Sequence, residues 1–209
     1  MYIIQLEQAT KNFNEQTVLN NVTISFNKGL VHGIIGRNGS GKTMLLKVIC
    51  GFTPLTSGKV FVNNVQIGKD ADVPSDIGVI IETPGFLPNY SAFQNLKLLA
   101  KIKNKVSIDR IQEVMRLVGL DPDNKKHVCK LSMGMRQRLG IAQAIMEDPS
   151  LIILDEPFNG LDANGVDDIH NLLLELKEQG KTILMTSHSS EDINRLCDNV
   201  IRMEQGRII

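Results

Sequence analysis

The chain has 209 residues, enough to bury a substantial core in one domain, and its 23 basic and 23 acidic residues cancel, which with no basic run argues against nucleic acid as the main partner. Its three cysteines, Cys50, Cys129 and Cys197, are widely spaced with no C-x-x-C pair, so reduced thiols are expected rather than a disulfide framework or a zinc site. Met1 to Glu7 lacks the basic and apolar regions of a signal peptide, and no apolar stretch approaches the roughly 20 residues that cross a bilayer.

Tyr2 to Ala9 alternates as a strand, and Thr10-Lys11-Asn12-Phe13-Asn14 reads as a polar loop carrying one aromatic. Phe13 is either a stacking platform for adenine or an ordinary phenylalanine. Val22 to Phe26 is a second strand, which Asn27-Lys28-Gly29 turns into a third, Leu30 to Ile35. That third strand runs into Gly36-Arg37-Asn38-Gly39-Ser40-Gly41-Lys42-Thr43, which fits G-x-x-x-x-G-K-[ST]. The glycines let the backbone N–H groups of this loop converge on one concavity suited to a polyphosphate. Lys42 would reach the β- and γ-phosphate oxygens, and the Thr43 hydroxyl would hold Mg²⁺. Thr43 to Cys50 reads as a helix whose N-terminus adds its own attraction for anions. The G-x-G-x-x-G spacing of a dinucleotide site is absent.

Gly51 to Gly58 reads as a loop, and Lys59 to Val62 with Val65 to Ile67 as a hairpin about Asn63-Asn64. Ile77 to Ile81 is a strand ending at Glu82, after which Thr83 to Pro88 is turn-rich. From Ser91 to about Asp148 the pattern is helical, with helices expected at Phe93–Ile102, Ile108–Val118 and Leu131–Glu147. This is read as a helical insertion, about 83–149, in an α/β core made of 1–82 and 150–209. Leu151 to Leu154 is a buried parallel strand, Asn164 to Gln179 a helix ended by Gly180, and Thr182 to Thr186 another buried strand. A short helix, Ser190 to Cys197, and a hairpin about Gln205-Gly206 close the chain.

The apolar run before Asp155-Glu156 places both carboxylates at the C-terminal end of a core strand, where open parallel sheets bind ligands. Asp155 would join the Mg²⁺ shell, and Glu156 would polarise the water that attacks the γ-phosphate. In Leu131-Ser132-Met133-Gly134-Met135-Arg136-Gln137-Arg138, Ser132 is a good N-cap and Gly134 leaves the amides approachable, which makes a second anion site or a plain capped helix.

Together these segments resemble the nucleotide-binding domain of ATP-binding cassette (ABC) proteins over nearly the whole chain. Gly36–Thr43 resembles Walker A, Leu131–Met135 the LSGGQ signature, and Leu151–Glu156 Walker B; Asn159-Gly160-Leu161-Asp162 resembles the D-loop and His188 the switch histidine. Phe13 falls where the family keeps its adenine-stacking aromatic. The resemblance implies a P-loop NTPase (RecA-like) core with an antiparallel β subdomain and an inserted α-helical subdomain. It also implies ATP and Mg²⁺ as ligands, and a homodimer in which the Ser132 and Gly134 region of one copy closes head-to-tail on the ATP of the other. Asp162 would sit at that subunit interface, and His188 would contact the γ-phosphate and help hold Glu156. The partner implied is a separate transmembrane permease at the inner face of the cell membrane, with the chain cytoplasmic and peripheral to it.

Two positions depart from the family pattern. Met133 and Met135 stand where Gly and Gln are usual, and Glu82 stands where the Q-loop glutamine is usual. A carboxylate at 82 can ligate Mg²⁺ or its water, yet it brings negative charge towards the triphosphate, so its main role is expected in coupling to the membrane partner. The segments Ile77–Phe86 and Leu131–Gly140 are most similar to the ATPase subunits of bacitracin-resistance and lantibiotic-immunity exporters, so export of a peptide antibiotic or similar compound is the expected work. The alternative is a soluble ABC ATPase acting on ribosomes or DNA, whose usual paired cassettes, coiled coils or zinc modules are not seen here. A catalytically dead binding module is disfavoured by Lys42, Asp155, Glu156 and His188. His32, His127 and His170 match no motif and are read as ordinary hydrogen-bonding histidines.

Overall fold

In a computed structural model, which describes residues 1–103 and 106–209, the described residues form two β-sheets and six α-helices. The first sheet is antiparallel. Its strands are β1 (Tyr2–Phe13), β2 (Gln16–Asn27), β4 (Ser57–Val62) and β5 (Val65–Gln66), in the order β2-β1-β4-β5. The second is built around parallel strands β3 (Val31–Ile35), β6 (Ile77–Ile80), β7 (Leu151–Leu154), β8 (Thr182–Thr186) and β9 (Asn199–Glu204), with β10 (Arg207–Ile208) antiparallel at one edge. Its order is β10-β9-β3-β8-β7-β6.

One expectation fails at the start. Thr10 to Phe13 are not loop but the continuation of β1, paired with β2 as far as Phe13 opposite Gln16. The ladder carries register shifts between Leu6 and Asn12, and such bulges let a polar, half-exposed segment stay paired while its alternation breaks. The two hairpins form where expected, because Asn63, Asn64, Gln205 and Gly206 all take the positive φ that tight hairpins need.

The central strands read as continuous apolar runs because both their faces are covered. Leu151, Ile153, Leu184 and Ile34 face one core, shared with the antiparallel sheet and helix α1 (Lys42–Ile49) through Leu6, Phe26, Leu45 and Ile49. Ile152, Leu154, Ile183 and Met185 face the other. That second core takes in Leu96, Met115 and Leu139 from helices α2 (Ala92–Lys103), α3 (Ile108–Leu117) and α4 (Met133–Ile145), and Leu173 from α5 (Ala163–Glu178). Helices α2 to α4 lie between β6 and β7 in the chain. Helix α4 comes so near β6 that a Cβ on Gly78 would stand 1.8 Å from the Ala144 carbonyl oxygen, so no larger residue fits there. A short helix α6 (Ser190–Leu196) follows β8. Among the described residues no helix is long and apolar enough to cross a membrane.

Candidate active site

The C-terminal ends of β3, β6, β7 and β8 bring the phosphate loop, Glu82, Asp155, Glu156 and His188 to one end of the parallel sheet, whereas Phe13 lies on the antiparallel sheet and Ser132 and Gly134 on α4. The loop after β3 curls tightly: a Cβ on Gly36 would meet the Met203 carbonyl oxygen at 2.4 Å and Ser40 Oγ at 2.6 Å. Helix α1 starts from Gly41 with no side-chain cap and no acidic residue in its first turn. Its first N–H groups are therefore free to bind an anion, and the helix dipole favours one. Ser40 Oγ is buried with no hydrogen-bond partner among the described residues, which fits a loop shaped to take a ligand's oxygen. Lys42 is buried, and its Nζ donates to the Gly36 carbonyl oxygen at 2.7 Å and to that of Arg37 at 3.4 Å.

Behind the loop a hydrogen-bonded chain links three elements. Thr43 Oγ1 donates to Asp155 Oδ2 at 2.8 Å. Asp155 Oδ1 accepts from Thr186 Oγ1 at 2.7 Å, and Thr186 Oγ1 in turn accepts from the Glu156 backbone N–H at 2.8 Å. Thr186 is fully buried at the end of β8. In sequence it is the last residue of a buried strand, and a hydroxyl at that strand end is the cue it offers. Through Thr186, β8 fixes both Asp155 and the backbone that presents Glu156. Glu156 sits at φ 51°, a left-handed conformation that a non-glycine residue adopts only when its surroundings impose it. Its Oε2 accepts from His188 Nδ1 at 2.9 Å, so the structure joins the two residues assigned to catalysis. The His188 side chain is 68% exposed and that of Glu156 21%, so the pair faces a space a substrate can enter.

Ser132 caps α4, its Oγ accepting from the Met135 N–H at 3.2 Å. Gly134 lies against the D-loop segment, where a Cβ would come within 2.7 Å of the Gly160 carbonyl oxygen. Asp162 caps α5 by accepting from the Gly165 N–H at 2.9 Å. Phe13 ends β1 at the hairpin tip, 47% exposed, with Lys11 Nζ 4.7 Å from its ring centroid. From that tip β2 runs past the phosphate loop, its Val18 carbonyl oxygen 2.9 Å from where a Cβ on Gly41 would be.

Glu82 has a partner that sequence reasoning did not name. Its Oε1 accepts from Lys47 Nζ of α1 at 2.6 Å, and the residue takes a φ of 59°. The pair is a consequence of β6 ending beside α1, which no local pattern reveals. His32 is buried, with Nε2 bonded to the Asn27 carbonyl oxygen, and burial lowers its pKa. It is an ordinary structural histidine.

The model of the family described as ABC transporter matches residues 19–159. The chain is 45% identical over 206 residues to YybJ of Bacillus subtilis (strain 168), an ABC transporter ATP-binding protein, covering 99% of this chain and 94% of that one. It is 39% identical over 210 residues to the bacitracin transport ATP-binding protein BcrA of Enterococcus faecalis, covering 100% of this chain and 68% of that one. Among solved structures, the dimeric bacterial ABC transporter cassette MJ0796 superposes with a TM-score of 0.89 at 25% identity, over 98% of this chain and 96% of that one. With the phosphate loop, the strand-end carboxylates and the histidine gathered at the C-terminal ends of the parallel strands, and the signature segment opening α4, the chain belongs to the ABC transporter family, as one of its ATP-binding, ATP-hydrolysing subunits.

Proposed function

We propose that this subunit energises a separate membrane permease that exports a peptide antibiotic or a compound of that kind. The bacitracin transport relative supports the cargo class, and the chain's zero net charge fits a protein partner better than a nucleic acid. The observation that carries the catalytic reading is the chain from Thr43 through Asp155 and Thr186 to Glu156, with His188 on the Glu156 carboxylate.

In this reading Phe13 stacks on adenine. The backbone N–H groups of Gly36, Arg37, Asn38, Gly39, Ser40 and Gly41 cradle the phosphates, and Lys42 turns from the Gly36 carbonyl to the β- and γ-oxygens. Glu156 orients the attacking water and draws off its proton, and His188 holds the carboxylate and touches the γ-phosphate. Thr43, Asp155 and Glu82 would hold Mg²⁺ or its water, and the ion would neutralise charge on the β- and γ-oxygens. The donor set, hydroxyl and carboxylate oxygens, suits that hard cation. Ser132 and Gly134 of one copy close on the nucleotide of a second, head-to-tail, so that two ATP molecules are buried between two copies. Loss of the γ-phosphate removes the bridging contacts and loosens the pair. Residues 83–149 form the helical subdomain that passes this motion to the permease at the inner face of the membrane, and 1–82 with 150–209 form the core. Purification of the tagged subunit from detergent-solubilised host membranes is expected to bring down one multi-span protein. Ribosomal RNA or DNA in its place would overturn the transport reading.

Glu82 is assigned mainly to coupling. Lys47 offsets its charge, so a carboxylate is tolerated near the triphosphate. A glutamine would still accept from Lys47 and add a donor. Glu82→Gln is expected to leave ATPase activity of the isolated subunit within about threefold, because an exposed ion pair contributes little. Glu82→Ala should weaken transport in cells far more than hydrolysis. Equal losses of both activities would make Glu82 catalytic instead.

A further inference from the structure

His170 matched no motif, yet the structure places it between the two loops that carry Glu156 and His188. It lies in the middle of α5, 1% exposed. One side of its ring meets Phe158, two residues past Glu156, edge to face, with centroids 4.5 Å apart and planes at 87°. Its Nε2 lies 3.1 Å from Asp192 Oδ1. Asp192 belongs to α6, and its other oxygen accepts from Ser187 Oγ at 3.2 Å. Ser187 Oγ accepts from the Ser189 N–H at 3.0 Å, and Ser189 Oγ accepts from the Asp192 N–H at 3.3 Å. Both neighbours of His188 are therefore tied to Asp192, and Asp192 is tied to His170.

We propose that His170 is a positioning residue for the Glu156–His188 pair, holding the Walker B loop and the switch loop in one register. The inference rests on the reading of that pair as catalytic. An ionised Asp192 only accepts, so His170 carries its proton on Nε2 and Nδ1 is bare. Nδ1 has no partner among the described residues, although it is buried. Burial holds the His170 pKa below its ordinary value against the opposing pull of Asp192, which keeps the ring neutral. An aliphatic side chain would pack against Phe158 without a bare nitrogen. Among the described residues the imidazole's one polar contact is with Asp192, which is tied in turn to both neighbours of His188. Helix α5 starts at the D-loop, where Asp162 caps it, about two turns before His170. A movement of that D-loop against a second copy therefore reaches both catalytic loops through one side chain.

The test compares steady-state ATP hydrolysis of the intact subunit and its variants. His170→Leu is expected to lower kcat about tenfold while KM for ATP stays within about twofold, because positioning of the base is lost and the phosphate loop is not. His170→Gln should recover activity to within about threefold of wild type, since its Nε2–H can reach Asp192. In a His188→Ala background, His170→Leu should cost less than about twofold more, as expected of residues acting through one another. Ser187→Ala cuts the same relay with a smaller change, and it should give a loss confined to kcat even if leucine at 170 prevents folding. A KM that rises in step, an equal loss in both backgrounds, or wild-type turnover in the His170→Leu and Ser187→Ala variants overturns the inference. If His188→Ala itself turns over normally, the assignment of His188 fails and the inference with it. If His188→Ala is impaired while His170→Leu is not, the inference alone fails.

Discussion

Glu156→Gln is expected to keep ATP binding and cut hydrolysis by about a hundredfold or more, which is about 2.7 kcal/mol on the barrier. Glutamine preserves the shape, and its amide oxygen can still accept from His188 Nδ1. It cannot take a proton from water. The geometry predicts no collateral damage, because the backbone at 156 is fixed by Thr186 Oγ1 and not by the carboxylate. With the γ-phosphate retained, the contacts that bridge two copies persist. Sizing with ATP and Mg²⁺ should therefore show the variant as a dimer. Phosphate release and sizing on one preparation decide the matter: normal turnover with only monomer would remove Glu156 from the role of base.

The parts of this site that could be read in sequence are those whose chemistry is local. The phosphate loop, the strand-end Asp155-Glu156 pair and the Ser132 cap each depend on neighbours within a few residues, and each lies where the pattern put it. The apolar runs of β3, β7 and β8 were legible because a strand buried on both faces has no alternation to confuse it. Thr10 to Phe13 was misread because polarity alone suggested a loop, whereas pairing with β2 across the hairpin decides the conformation. Thr186, Lys47 and His170 were missed for a different reason. Each acts on a residue distant in the chain that only the tertiary fold brings to it: Thr186 on Asp155, Lys47 on Glu82, His170 on Asp192. Strand β8 lies beside β7 although α5 separates them in the chain, and no periodicity encodes that neighbour. Thr186 shows what cue remains: a polar group at the end of a buried strand says to search for a partner without naming it.

Lys42→Ala is expected to abolish tight ATP binding. The Lys42 ammonium is held over the loop by the Gly36 carbonyl at 2.7 Å. A triphosphate there would exchange that neutral carbonyl for two charged oxygens. Hydrogen bonds to charged groups are worth roughly 1.5–3 kcal/mol each, so losing two weakens binding by about a hundredfold or more. The residual affinity would come from the loop amides, the α1 dipole and stacking on Phe13, none of which senses residue 42. Folding is a fair concern, since the Lys42 side chain is buried and alanine leaves space beneath the loop. Lys42→Met separates the two effects: it keeps the stem packed and removes only the charge, so it should lose ATP as alanine does while melting close to wild type. Direct titration of both variants with a fluorescent ATP analogue gives the affinities. Wild-type affinity in the methionine variant would mean that Lys42 does not meet the phosphates, and the assignment of Gly36 to Thr43 as the triphosphate cradle would have to be given up.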